Sequence, residues 1–190
     1  PNSSVISKRL SGRILLQVQS RGEAWYVDPV SKTRAYLANG FSAFTILRQF
    51  GLGVSNKDLF KIPIGYTDYN LGTETDTDKD GLSDKLETAI GSNPTTADSD
   101  GDGYNDKMEL VSGYNPLNTG KPASNKSLAK RLAGHILLQV QGHGEAWYVN
   151  PVDGKRYFLA NGEQAYGILH QFGLGITNND LSQIPIKQDK

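Results

Sequence analysis

Ten carboxylates in two short runs carry the one pattern in this chain with a definite chemistry. Asp76, Asp78 and Asp80 alternate with single intervening residues, and Gly81, Leu82, Asp84 and Glu87 follow. The same order returns 22 residues on, as Asp98, Asp100, Asp102, Gly103, Tyr104, Asp106 and Glu109. Hard oxygen ligands at this spacing suit Ca²⁺, which takes about 6–8 of them at roughly 2.3–2.6 Å.

Each run fills the ligand positions of a twelve-residue EF-hand loop. The three aspartates wrap one side of the ion. Gly81 and Gly103 permit a sharp turn at a backbone angle that a side chain opposes. The next position supplies a backbone carbonyl, so Leu82 and Tyr104 can differ in side chain. Asp84 and Asp106 are expected to act through a water. Glu87 and Glu109 close each site with both oxygens, from the first turn of a helix that Lys-Leu-Glu-Thr-Ala-Ile and Lys-Met-Glu-Leu-Val can supply. A single acidic run is usually a solvated loop. Two complete runs at fixed spacing point to two calcium ions.

The run 76–87, then Ile-Gly-Ser-Asn-Pro, then the run 98–109, then Gly-Tyr-Asn-Pro-Leu-Asn, resembles the thrombospondin type 3-like calcium repeats of bacterial surface proteins. The resemblance covers roughly residues 68–120. Dockerin modules are similar in form. Neither loop has a clear entering helix: Gly72-Thr73 leads into the first and Asn93-Pro94 breaks the chain before the second. That departs from a sensor EF-hand and speaks against calmodulin-like opening. The resemblance implies a calcium-stabilised spacer in an extracellular or cell-envelope protein, with no ligand or activity attached. A partial Asp-x-Asn pattern at Asp68 and Asn70 precedes the first loop, and the sequence leaves a third ion site there open.

The elements that must hold these loops are set by a repeat. Residues 8–64 recur as 130–186 at a constant offset of 122, with 37 of 57 positions identical. This divides the chain into a first copy (8–64), a calcium module (65–121) and a second copy (126–186). Within a copy, Arg13–Gln19, Glu23–Val27 and Arg34–Leu37 read as strands. Asp-Pro-Val and Asn-Pro-Val-Asp-Gly mark the turn between the second and third. Ala43, Ile46, Leu47 and Phe50 lie on one helix face, as do Ala165, Ile168, Leu169 and Phe172. Gly51 or Gly53 would end that helix in a left-handed cap. Ser55 with Asp58, and Thr177 with Asp180, resemble capping boxes of a short second helix ended by Pro63 and Pro185. The expected class is α+β, with three antiparallel strands and two helices per copy. Residues 1–7 read as a frayed, polar end.

Composition excludes several functions. Net charge is zero over 190 residues, yet residues 68–109 hold 12 acids and three lysines, so this segment is −9 and the remainder +9. No dense Lys/Arg stripe suits nucleic acid. No apolar run of about 18 residues predicts membrane insertion. Without cysteine there is no disulfide or thiolate site. His135, His143 and His170 face Arg13, Arg21 and Arg48 in the first copy, so the copies share no histidine chemistry. The chain opens Pro-Asn-Ser-Ser with no signal peptide and reads as a piece of a longer protein.

The matched polar and aromatic residues form a second candidate set: Glu23, Trp25 and Arg34, with Glu145, Trp147 and Arg156. An exposed ring beside that Glu and Arg could stack on a cell-wall glycan; alternatively each set is a core tryptophan with a cross-strand ion pair. The leading expectation is a non-enzymatic calcium-binding spacer. Its rivals are an adhesion module binding a surface glycan or protein, and a hydrolase using Glu23 and Asp58.

Overall fold

The computed structural model describes residues 4–67, 74–122 and 124–187. The Asp68–Asn70 pattern lies outside these described residues. The first copy runs α1 (Val5–Arg9), β1 (Ile14–Gln17), β2 (Ala24–Val27), β3 (Arg34–Leu37), α2 (Gly40–Gln49), β4 (Leu52–Val54) and α3 (Asn56–Leu59). The centre carries α4 (Asp84–Ile90) and α5 (Asp106–Ser112). The second copy repeats the first as α6 (Lys126–Arg131), β5 (Ile136–Gln139), β6 (Ala146–Val149), β7 (Arg156–Leu159), α7 (Gly162–Gln171), β8 (Leu174–Ile176) and α8 (Asn178–Ser182). The class is α+β, as the sequence implies.

Each copy forms the expected three-stranded meander, but each sheet has a fourth strand, and it comes from the other copy. The orders are β3-β2-β1-β8 and β4-β5-β6-β7. β8 pairs parallel with β1, Leu15 opposite Leu174, and β4 pairs parallel with β5, Leu52 opposite Leu137. The repeat boundaries therefore mark stretches of chain, and neither sheet is complete without the other copy. Three-residue strands following a helix offer no alternation to read. Gly51 or Gly53 was expected as a left-handed cap, yet α2 ends on Phe50 with φ −91° and neither glycine has positive φ. The glycine is needed for space: a Cβ on Gly51 would stand 2.5 Å from Leu138 Cδ1, and one on Gly173 2.4 Å from Leu16 Cγ.

Alternation along the strands sends two faces to two cores. The inner faces share one core: Ile14, Tyr26 and Leu37 from the first sheet meet Ile136, Tyr148 and Leu159 from the second, with Leu47, Ile168 and Leu169 from α2 and α7. A pseudo-twofold relates the halves. Tyr26 donates to the Gly134 carbonyl at 2.8 Å and Tyr148 to the Gly12 carbonyl at 2.9 Å. Burial pushes both phenols above their ordinary pKa, so both remain donors.

The outer faces differ. On the first sheet, Ile6 and Leu10 at α1 and Leu181 and Ile184 at α8 cover Leu15, Val27 and Ile176. Val5–Arg9, capped by Ser4, is therefore a docked helix where a frayed end over residues 1–7 was expected, residues 1–3 lying outside the described residues; its divergence from α6 hides the repeat there. On the second sheet, α3 and α6 do the same work, and the calcium module adds Leu82, Leu86, Ala89, Ile90 and Leu110 to the same core as Leu137, Trp147 and Phe158. The module is packed onto the second sheet.

Candidate metal centre

Both loops fold by the same local rules. Ser83 caps α4 by accepting from Leu86 N–H at 3.3 Å, and Asn105 caps α5 by accepting from Met108 N–H at 2.7 Å. Gly91 and Gly113 end the helices in the left-handed region at φ +91° and +78°. The caps start each helix just before the closing glutamate, so Glu87 and Glu109 sit in first turns. Gly81 and Gly103 make the sharp turns at φ +98° and +97°.

Inside each loop the aspartates turn inward by accepting from backbone N–H groups. Asp76 accepts from Lys79 and Gly81 at 2.8 and 3.1 Å, Asp78 from Asp80 at 3.1 Å, and Asp80 from Leu82 at 2.7 Å. The second loop repeats this: Asp98 with Gly101 and Gly103, both at 2.8 Å, Asp100 with Asp102 at 3.1 Å, and Asp102 with Tyr104 at 3.0 Å. One oxygen from each of Asp76, Asp78 and Asp80 lies within 4.8 Å of the others, and likewise for Asp98, Asp100 and Asp102.

The closing glutamates carry the test of fit. Glu87 is fully buried and neither carboxylate oxygen has a hydrogen-bond partner; one oxygen each of Asp78, Asp100 and Glu109 is also buried and unpartnered. Burial first, then the charges of Asp78, Asp80, Asp106 and Asp84, pushes Glu87 up to about 8. Burial, then Asp102, Asp100, Asp106 and Asp98, pushes Glu109 up to about 7. Bare carboxylates crowded this way repel each other, and orphaned buried oxygens are costly. A divalent cation bound by these oxygens removes both penalties. The donor set is all oxygen, which suits Ca²⁺ over softer metals.

Three features were not legible in the spacing. Asp84, expected to reach the ion through water, also accepts from Thr77, at 2.8 Å from the N–H and 2.7 Å from the hydroxyl. Asp106 is clasped the same way by Ser99, at 2.8 and 2.6 Å. A hydroxyl residue recurs at the second position of both loops, the signal that could have revealed this clasp. Asp80 also accepts from the Lys107 N–H at 3.2 Å, tying the first loop to α5. Lastly, the side chains of Leu82 and Tyr104 part company: Leu82 is core and Tyr104 is exposed.

The second candidate set does not assemble as paired ligands. Glu23 accepts from Ser20 and Arg21 in its turn, both at 2.9 Å, and Glu145 from His143. The expected Glu–Arg cross-strand pairs are absent among the described residues. Arg34 stacks over Trp25 at 4.7 Å and donates to the Leu181 carbonyl. Arg156 stacks over Trp147 at 4.2 Å and donates to the Ile62 carbonyl at 3.0 Å. Trp147 and Arg156 are buried, whereas Trp25 and Arg34 are partly exposed. Of the hydrolase pair, Glu23 lies in the β1–β2 turn of the first sheet and Asp58 in α3 under the second, bonded to Lys61 at 2.8 Å.

The geometry thus defines a pair of calcium-type loops, each closed by a helix. A family model described as the bacterial TSP3 repeat matches residues 76–97 and 98–119, one match per loop and helix. This repeat is a calcium-binding one. No curated protein and no solved structure matches the chain. No helix among the described residues is long and apolar enough to cross a membrane.

Proposed function

We propose that this chain is a calcium-dependent structural segment of an extracellular or envelope bacterial protein, in which two ions fix a central module against a duplicated, strand-exchanged α+β body. Calcium is bound by Asp76, Asp78, Asp80, the Leu82 carbonyl and Glu87, and by Asp98, Asp100, Asp102, the Tyr104 carbonyl and Glu109. Asp84 and Asp106 clasp the second residue of each loop and complete each site through a water. The role is non-enzymatic. The observation that carries this reading is Glu87: a fully buried carboxylate with both oxygens unpartnered, one residue from Leu86 in the core that surrounds Trp147. Metal binding is thereby coupled to packing. Extracellular calcium is millimolar, enough to fill sites with dissociation constants of about 10⁻⁴–10⁻³ M. Calcium then acts as a permanent part of the structure.

Thermal unfolding in calcium and in chelator, followed by limited proteolysis of residues 74–122, tests the proposal. Ligand binding to the folded state raises the melting temperature by mass action. A higher melting temperature and protection of the module in calcium are expected. Equal melting and equal cleavage in both conditions would contradict it.

A further inference from the structure

Two duplications meet in this molecule, and together they leave one surface of each kind unmatched. The loops repeat at an offset of 22, so Leu82, Leu86 and Ala89 correspond to Tyr104, Met108 and Val111. The sheets repeat at 122, so Gln139, Trp147 and Phe158 correspond to Gln17, Trp25 and Tyr36.

The first loop meets the second sheet. Leu82, Leu86 and Ala89 are 0–1% exposed in the core that holds Trp147 and Phe158. The contact has a polar register mark: Gln139 Nε2 donates to the Ala89 carbonyl at 3.2 Å, while its Oε1 accepts from Trp147 Nε1 at 3.2 Å. The twin surfaces are both open. On α5 and its loop, Tyr104, Met108 and Val111 are 59%, 55% and 60% exposed. On the first sheet Tyr36 is 43% exposed and Trp25 half-buried. Gln17 keeps the Trp25 bond at 3.2 Å, but its amide donor rests on Asn178 Oδ1 at 2.7 Å in place of a helix carbonyl.

We propose that the Tyr104–Met108–Val111 face of one copy of this chain docks on the Trp25–Tyr36 face of a second copy, reproducing between molecules the packing of α4 on the second sheet. Contact within one molecule is ruled out by Leu110, which fastens α5 to the second sheet's core and turns the opposite face outward. Charge favours the match: the docking loop belongs to the −9 segment, which stays acidic with two Ca²⁺ bound, and the receiving face presents Arg34 over Trp25 within the +9 remainder. The two surfaces differ, so the contact is heterologous. It runs head to tail along a filament or closes as a ring. In the docked state Gln17 leaves Asn178 and donates to the Val111 carbonyl, as Gln139 does to Ala89. This inference rests on the packing of the first loop, and it is separable from the identity of the metal.

The test uses the full chain in saturating calcium. Sedimentation velocity from micromolar to millimolar protein is expected to show concentration-dependent association, weakened about tenfold or more by Met108→Lys. The chain has no cysteine, so single variants Tyr36→Cys and Val111→Cys of different tagged mass can be mixed and oxidised. A disulfide joining the two variants is expected. Val152→Cys, on an exposed turn of the second copy, should not join to Val111→Cys. A monomer at every concentration overturns the proposal, as does association that Met108→Lys leaves intact or equal cross-linking by the Val152 control. A monomer whose Trp25 emission responds to peptidoglycan fragments also overturns it, and assigns the face to a glycan.

Discussion

The Lys107 N–H donates to Asp80 Oδ2 at 3.2 Å, so a ligand of the first calcium loop is held by the first turn of the second loop's helix. Asp106, the neighbouring residue, is also among the charges that raise Glu87. An ion in the second loop would hold α5, and with it this N–H, in place against Asp80. The two ions should therefore bind with positive coupling. Glu109→Gln should weaken its own site strongly and the first site by about fivefold or more, the low end of typical coupling energies. Calorimetry of that variant checks this. An unchanged affinity at the first site would show the loops to be independent.

Protons compete with calcium for the closing glutamates. Glu87 is raised to about 8 and Glu109 to about 7 without metal, so calcium binding at neutral pH must release protons. Apparent affinity should fall as pH is lowered from 8 to 6. The metal-free protein should behave in the opposite sense. A carboxyl raised in the folded state stabilises the fold fully below its unfolded value near 4.5, and that contribution is lost as pH rises through about 8. Melting in chelator should thus rise as pH falls from 8 towards 6, while melting in calcium does not.

The pseudo-twofold axis passes where two glycines touch. A Cβ on Gly12 would stand 2.5 Å from Gly134 Cα, and the residue sits at φ +75°. Gly22 has φ +82° but open space around its Cβ position. Gly22→Ala should cost about 1–2 kcal/mol for the left-handed backbone alone. Gly12→Ala should cost clearly more, because the two copies must separate. Urea unfolding of both variants in calcium decides between space and conformation.

The twin tryptophans should differ in the same way. Trp147 is fully buried beneath the calcium module, and Trp25 is only half-buried. Trp147→Ala should cost about 3–5 kcal/mol, the usual range for a core aromatic. Trp25→Ala should cost less than half of that. Equal losses would mean the module contributes nothing to the packing around Trp147.

Strand, helix and loop types were legible here because each has a local cause. Alternation around Trp25 and Trp147, the helix face at Ala43–Phe50, and the Asp-x-Asp-x-Asp-Gly spacing all act over a few residues. What escaped reading depends on partners far along the chain. Leu52–Val54 carries no strand signal of its own and pairs only because Leu137–Gln139 offers an open edge. The clasp of Asp84 by Thr77 and of Asp106 by Ser99 uses hydroxyls that the ligand pattern ignores. The difference between Trp25 and Trp147 is invisible in two identical segments; it arises because the single calcium module packs on only one of the two sheets.

A calcium titration of the metal-stripped chain by calorimetry bears most directly on the central claim. Two ions per chain, bound with release of protons at pH 7 and with the loss of one ion in Glu87→Gln, is the predicted result. Absence of binding at millimolar calcium, or binding that Glu87→Gln and Glu109→Gln leave unchanged, would contradict the assignment of both loops.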